Sequence, residues 1–356
     1  MKMIIKLIIG CALCLAAVAL LYFAGVLIYT TFTEFKPEPS EKLSSNPQKT
    51  ATQIPLPAEL NILTWNIGYG GLGKEMDFFY EGGKMVRPDE GLSQKYLKGI
   101  AEFLTANDSI DFFMLQEVDF DSRRSYYQNQ AEVLTSAINK FGNSIAVNYQ
   151  SDFVPVPFLE PMGKVNSGLM TLSGFTPSES IRISTPGSYS WPKRLFMLKR
   201  CLLITRFLLQ NQKDLVMVNL HNSAFDDADA LRDEELKLIK AFALEEFQKG
   251  NYLIFGGDWN QNPPGLKMHD SVPYKVKSLR PIPTDLMPDD WIWTFDNKLP
   301  TNRDVDKPFE ATSTPCSLID FFLVSPNIEV LETRTMNLEF ENSDHLPVIL
   351  KVRLKE

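Results

Sequence analysis

Residues 254–263 read IFGGDWNQNP. An apolar run passes through two glycines to a carboxylate, an amide and a turn within ten positions. Charge at the end of a buried strand costs desolvation energy, so a folded chain keeps it there with partners or with a use. The pattern predicts a strand over YLIFGGD, with Asp258 and Asn260 presented at its end. The two glycines are expected to let the chain turn sharply, so that both side chains face one ligand.

Upstream, DADALRDEELKLIKAFALEEFQKGN is the longest amphipathic helix, opened by aspartates and closed by Gly250. RCLLITRFLLQNQKDLVMVNLHN reads as two strands about a polar turn, which predicts antiparallel pairing. ELNILTWNIG, IDFFMLQEVD, SGLMTLSGF, LIDFFLVS and HLPVILKVRL read as further strands. SQKYLKGIAEFLTAND places Tyr96, Leu97, Ile100, Phe103 and Leu104 at helical spacing, and QAEVLTSAINKF is a shorter helix. Strands and helices alternate without a repeat, which implies an α/β fold of mixed sheets with helices on their outer faces.

The N-terminus does not belong to that body. Residues 7–29 carry no charge, and as a helix they reach roughly 34 Å, enough for a hydrocarbon core of about 30 Å. The run is longer, and bulkier at its far end, than a cleaved signal peptide. A lipoprotein reading at Cys11 is weaker, because the residues after it stay apolar. Lys2 and Lys6 precede the run while Glu34, Lys36, Glu38 and Glu41 follow it, so the N-terminus is expected in the cytoplasm and the body outside, as a single-pass membrane protein. Residues 1–32 are therefore expected to form an anchor, the polar, proline-containing residues 33–56 a tether, and residues 57–356 the folded domain. No protein partner is predicted.

Composition narrows the chemistry. The chain has 356 residues, 44% of them hydrophobic, and a net charge of −8. That acidity argues against a nonspecific coat for nucleic acid, without excluding an enzyme that meets phosphate locally. Only Cys201 and Cys316 lie outside the apolar run, so neither a disulfide framework nor a CxxC zinc pair is present, and both are expected to be buried thiols. No serine sits in a GxSxG elbow.

The polar residues at strand ends form a coherent set. Asn66 and Glu117 end the first two strands, His221 follows VMVNL, and Asp258 and Asn260 follow YLIFGG. Asp344 and His345 precede LPVIL, and Asp320 lies inside LIDFFLV. Each alone reads equally well as a turn residue, an exposed carboxylate or a satisfied histidine. Together, carboxylates and amides without cysteine suit Mg2+ or Mn2+. Histidine beside aspartate supplies a base for water, and the remaining amide and histidine suit a phosphate. Phosphoester hydrolysis fits this set better than acyl transfer.

TWNIG, LQEVD, VNLHNS, GGDWN, LIDFFLV and SDHLPV, in this order from about residue 60 onward, resemble the endonuclease/exonuclease/phosphatase superfamily. The resemblance implies a four-layer α/β sandwich with two central mixed sheets and the site along one rim. It implies that Asn66 and Glu117 hold the divalent metal with Asp344 near it, and that His345, steadied by Asp320, activates water. Asp258 would orient the water or protonate the leaving oxygen, while Asn260 and His221 bind the phosphate. The substrate class stays open among nucleic acid, phospholipid head groups and small phosphorylated molecules. A catalytically silent phosphate- or nucleic-acid-binding module on the same fold is expected to lack a metal or base position, and none is missing here. Lys193, Arg194, Lys199 and Arg200 are expected to be a solvated cluster, Trp291 and Trp293 to belong to the core, and His269 to lie in a surface loop.

Overall fold

The computed structural model describes residues 1–46, 53–56, 58–224 and 229–355. Two seven-stranded mixed sheets lie face to face. The first runs Ser40–Lys42, Glu179–Ser184, Cys201–Leu208, Asp214–His221, Tyr252–Asp258, Asp320–Val324, Ile292–Thr294. The second runs Ile328–Thr335, Val348–Leu354, Ala58–Asn66, Phe112–Asp119, Gly163–Ser173, Gly142–Val154, Ser45–Asn46. Each sheet holds one parallel pair, Tyr252–Asp258 on Asp214–His221 and Ala58–Asn66 on Phe112–Asp119.

The alternation of these strands explains the layers. Ile62, Met114, Met217, Ile254, Phe322 and Leu350 fill the space between the sheets. The opposite faces of the same strands are covered by helices. Leu236, Ile239 and Ala243 of helix α4 (Asp229–Gln248) pack on Leu253, Phe255 and Phe321. Leu97, Ile100 and Leu104 of α2 (Glu90–Ala106) and Leu134 of α3 (Gln130–Ala137) pack on Trp65, Phe113 and Leu115. The result is the expected four-layer α/β sandwich. Asp89 caps α2 by accepting from the Leu92 N–H, and Asn129 caps α3 by accepting from that of Glu132.

Helix α1 (Lys2–Phe32) is long and apolar enough to cross a membrane, and almost all of it is exposed. Trp291 is buried and Trp293 packs against the same core cluster. Cys201 and Cys316 are free, buried and in different clusters, and His269 is exposed.

Three features depart from the sequence reading. Part of the expected tether is sheet: Ser40–Lys42 pairs with Glu179–Ser184, and Ser45–Asn46 with Gly142–Val154. Ladder pairing uses the backbone, so this polar stretch needed no apolar periodicity to join a sheet edge. Residues 47–52 of the tether lie outside the described residues. The two glycines of IFGGD make no turn either, because both lie inside Tyr252–Asp258. A Cβ on Gly256 would come within 2.5 Å of the Phe322 ring, and one on Gly257 within 2.0 Å of the Leu220 carbonyl oxygen. Their role is close packing, and the backbone reversal falls at Asn260, with φ +52°. Finally, Asp320 opens its strand instead of lying within it, and Glu117 sits two residues before its strand ends.

Candidate active site

Register assembles the centre. Asp258 stands opposite His221 on one neighbouring strand and opposite Asp320 on the other, so three residues far apart in sequence form one row. Asn66 ends the strand Ala58–Asn66 of the other sheet, beside Gln116. Glu117 occupies a bulge between Leu115 and Val118 and has φ +55°, a left-handed conformation costly for a non-glycine residue. The bulge re-aims its carboxylate into the cleft.

Buried polar links fix the two sheets against each other beneath this row. The Gln116 amide donates to Asn219 Oδ1 at 2.8 Å, and the Asn219 amide donates to the carbonyls of Leu115 and Met170 at 3.1 Å. The 343–345 loop is tied to the first strand: Trp65 Nε1 donates to the His345 carbonyl at 2.9 Å, and Ser343 Oγ to the Asn66 carbonyl at 2.8 Å.

Six of the eight expected residues line a cleft of about 630 Å³, namely Glu117, His221, Asp258, Asn260, Asp344 and His345. The other two stand behind them. Asn66 donates its amide to Asp258 Oδ2 at 3.1 Å and to Glu117 Oε1 at 3.3 Å. Its own Oδ1 accepts from the Gly68 N–H. Asp320 Oδ2 lies 2.8 Å from His345 Nδ1, while His345 Nε2 faces the Asn302 amide at 3.0 Å and Asp258 Oδ2 at 3.8 Å. His221 Nε2 approaches the same Asp258 oxygen at 3.4 Å.

The charges are unbalanced. Burial, and then Asp320, push the Asp258 carboxyl up to about 7 against the opposing pull of His345. Burial and Glu117 push Asp344 up to about 6, against His345 and Arg303. Burial disfavours a charged His345, but Asp320, Asp344 and Asp258 outweigh it and hold the ring well above its ordinary value. Burial, then Arg200 and His345, hold His221 well below, so it is neutral. Three carboxyl groups, those of Asp320, Asp344 and Asp258, thus bear on the one ring of His345, and Asp344 has a hydroxyl, Ser343 Oγ at 3.3 Å, as its side-chain donor. The set fits a hard divalent cation, with oxygen donors from Glu117 and Asp344. A second group, Asp258, Asp320 and His345, has its donor atoms within 4.8 Å of one another, yet the His345–Asp320 hydrogen bond already joins two of them.

Sequence reasoning missed four residues at the cleft. Arg200, read as part of a solvated cluster, lines it, and among the described residues no carboxylate pairs with its guanidinium. Arg194 and Lys199 of the same cluster pair with Glu34 instead. Arg124 bonds Asp119 through two nitrogens and lies 3.7 Å over the ring of Tyr69, itself at φ +43°. Asn302 contacts His345 through its side chain and through an isolated backbone bridge. The signal for Arg200 was its place immediately before the strand Cys201–Leu208; the other three carried none.

Solved structures share the architecture. A protein from Beutenbergia cavernae described as endonuclease/exonuclease/phosphatase aligns with a TM-score of 0.54 at 16% identity, over 83% of this chain and 72% of that one. A Bacteroides vulgatus protein of the same description gives 0.50 at 16% identity, over 84% and 100%. TDP2 from D. rerio, complexed with single strand DNA product, gives 0.51 at 12% identity, over 83% and 99%. No curated protein matches the chain. The sequence profile of the Endonuclease/Exonuclease/phosphatase family matches residues 63–345, and with the fold in agreement, the chain belongs to that family.

Proposed function

We propose that the protein is a divalent-metal-dependent phosphoester hydrolase displayed from a membrane by α1. The observation that carries the reading is the convergence of Asn66, His221 and His345 on one oxygen of Asp258, beside the under-compensated Glu117 and Asp344. Glu117 and Asp344 would hold Mg2+ or Mn2+, with Asn66 beside them. Its amide nitrogen faces the carboxylates, so ligation through Oδ1 needs the amide to turn over. The bound ion would polarise a phosphate oxygen and offset charge developing on it.

His221, Asn260 and Arg200 form the phosphate cradle, with Arg200 as its cation. His345 takes the proton of the attacking water, held in the right tautomer by Asp320 on Nδ1. Asp258, raised to about 7, is poised to protonate the leaving oxygen. With Asp258 protonated and Asp344 neutralised, two of the three charges that keep the His345 ring protonated are gone.

The test is release of product from bis(p-nitrophenyl) phosphate, p-nitrophenyl phosphate, single-stranded DNA and phospholipid by the purified full chain. Hydrolysis of at least one is expected with Mg2+ or Mn2+ and none in chelator. Full activity in excess chelator would overturn the metal requirement. The charge flanks of α1 support a body outside the cytoplasm, so protease added to intact cells should remove it, and a protected body would reverse that orientation.

A further inference from the structure

We infer that the protein's body is seated in one leaflet of the bilayer through the 156–159 loop and Trp191, and that its substrate is a phosphoester whose lipid portion stays in that leaflet. The inference rests on the hydrolase reading and on α1 spanning a membrane.

The contacts between α1 and the body change character along the helix. Nearest the helix centre they are apolar: the Phe158 ring meets Tyr22 at 6.0 Å and Phe23 at 6.2 Å, both inside the charge-free run. Higher up they become amphipathic, with the Tyr29 hydroxyl on Asp152 at 3.3 Å and Trp191 Nε1 on Thr31 Oγ1 at 3.2 Å. Just beyond the helix they are ionic, Glu34 Oε1 accepting from Arg194 at 3.2 Å and Lys199 at 3.1 Å. Apolar, amphipathic and ionic is the order met on leaving a bilayer from its core to its head groups.

The helix also sets a depth. From Phe23 to Thr31 is eight residues, about 12 Å along the axis. Phe158 is thereby held about 12 Å below the level of Trp191, within a hydrocarbon core about 30 Å thick that residues 7–29 span. In water that placement would waste apolar surface, for Phe158 is 63% exposed, Leu159 93% and Trp191 51%. In a bilayer all three are in their preferred surroundings, with Trp191 at the interface.

The segments that reach the membrane also build the cleft. Met162 follows the inserted loop and lines the cleft, as do Phe196, Met197 and Leu198, which follow Trp191. Met162, Phe196 and Leu198 share one apolar cluster. Apolar residues that line the site therefore follow closely in sequence on both membrane-seated segments, and Arg200, His221 and Asn260 line the same cleft. A substrate with its phosphate on these polar groups and its chains left in the leaflet matches both sets of residues.

The test uses the full chain in nanodiscs of phosphatidylcholine with phosphatidylglycerol, with Mg2+ present. Trp191 is the exposed tryptophan among those of the described residues, so acyl chains carrying bromine should quench wild-type emission and leave Trp191→Phe much less affected. Phe158→Ser combined with Leu159→Ser should lower phospholipid hydrolysis about tenfold or more while changing bis(p-nitrophenyl) phosphate hydrolysis less than about twofold. Absent quenching, or equal losses on both substrates, would overturn the inference. A wild type that cleaves the soluble diester but no bilayer phospholipid would overturn it too, leaving the hydrolase reading standing. A wild type inert on both would overturn both.

Discussion

The two ends of the first sheet bury the same chemical group in opposite company. At the end where Asp214–His221 and Tyr252–Asp258 begin, Glu246 is surrounded by donors: Arg206 at 2.6 Å, and Lys249 and Asn251 each at 2.8 Å. Burial would raise its pKa, but these hydrogen bonds override it and hold the carboxyl down to about 2. At the other end, Asp258, and Asp344 in the loop that leads into the second sheet, are buried among further carboxylates and rise to about 7 and 6. A carboxylate that serves the fold has its cation in the chain. One that lacks it is poised to gain from a cation or phosphate that arrives later, and a charge left in this state marks a site.

The contrast breaks most directly at the metal. If Glu117 and Asp344 lack a cation that the chain does not supply, chelator should abolish hydrolysis, and Glu117→Gln should lower turnover by on the order of 10³ with the circular dichroism spectrum unchanged. A Glu117→Gln enzyme retaining near-normal turnover with Mg2+ would place the metal elsewhere.

Next in size is the His345–Asp320 pair. His345→Ala and Asp320→Asn should each lower turnover by about 10² or more, and the double variant should be little worse than His345→Ala alone, because residues acting as a unit lose their effect together. Losses that multiply would show that Asp320 acts on something other than the ring, such as its row neighbour Asp258.

Much of this was legible before the fold was known. All eight expected residues meet at one rim, because strand ends are readable from apolar runs and rims are where strand ends gather. The long helices were legible from their period. The strands Gly142–Val154, Glu179–Ser184 and Ile328–Thr335 were not, since their half-exposed faces carry Asn, Ser, Arg and Glu in place of apolar runs. Neither was the edge pairing of Ser40–Lys42, which is a backbone property. The strain at Glu117 and the Gln116–Asn219 link were invisible because register alone creates them. Arg200 was misread because the basic pairs Lys193–Arg194 and Lys199–Arg200 look alike in sequence, while the fold sends Arg194 and Lys199 to Glu34 and Arg200 to the cleft.

At the structural end the prediction concerns stability. Glu246→Gln keeps the shape but loses the charge that Arg206 and Lys249 need, so it should destabilise by about 2 kcal/mol near neutral pH, allowing for the partly exposed Lys249. The folded pKa lies below the ordinary carboxylate value. The contribution is therefore complete above about pH 4.5 and lost as pH falls from there toward 2, where the wild type and the variant should converge. Denaturant midpoints at pH 7 and pH 3 check both the size and the sign. A constant difference at the two values would mean that the loss is one of packing.

The smallest effect is the sharpest test of the contrast, because its sign is reversed. Asp344 is buried beside Glu117, so in chelator its charge costs the folded state more than its bond to Ser343 returns. Asp344→Asn keeps the volume and removes that cost, while Arg303, which also faces Asp344, keeps its hydrogen bonds to the carbonyls of Leu72, Gly73 and Met76. The variant should therefore be more stable than wild type in chelator, by about 1 kcal/mol. Added Mg2+ should stabilise the wild type by mass action and leave the variant nearly unmoved, closing or inverting the gap. Thermal unfolding of both proteins in chelator and in Mg2+ reads this without any reference to turnover. An Asp344→Asn protein less stable than wild type in chelator would put Asp344 in the same class as Glu246, a carboxylate already satisfied by its own fold, and would leave Glu117 as the metal's one acidic ligand.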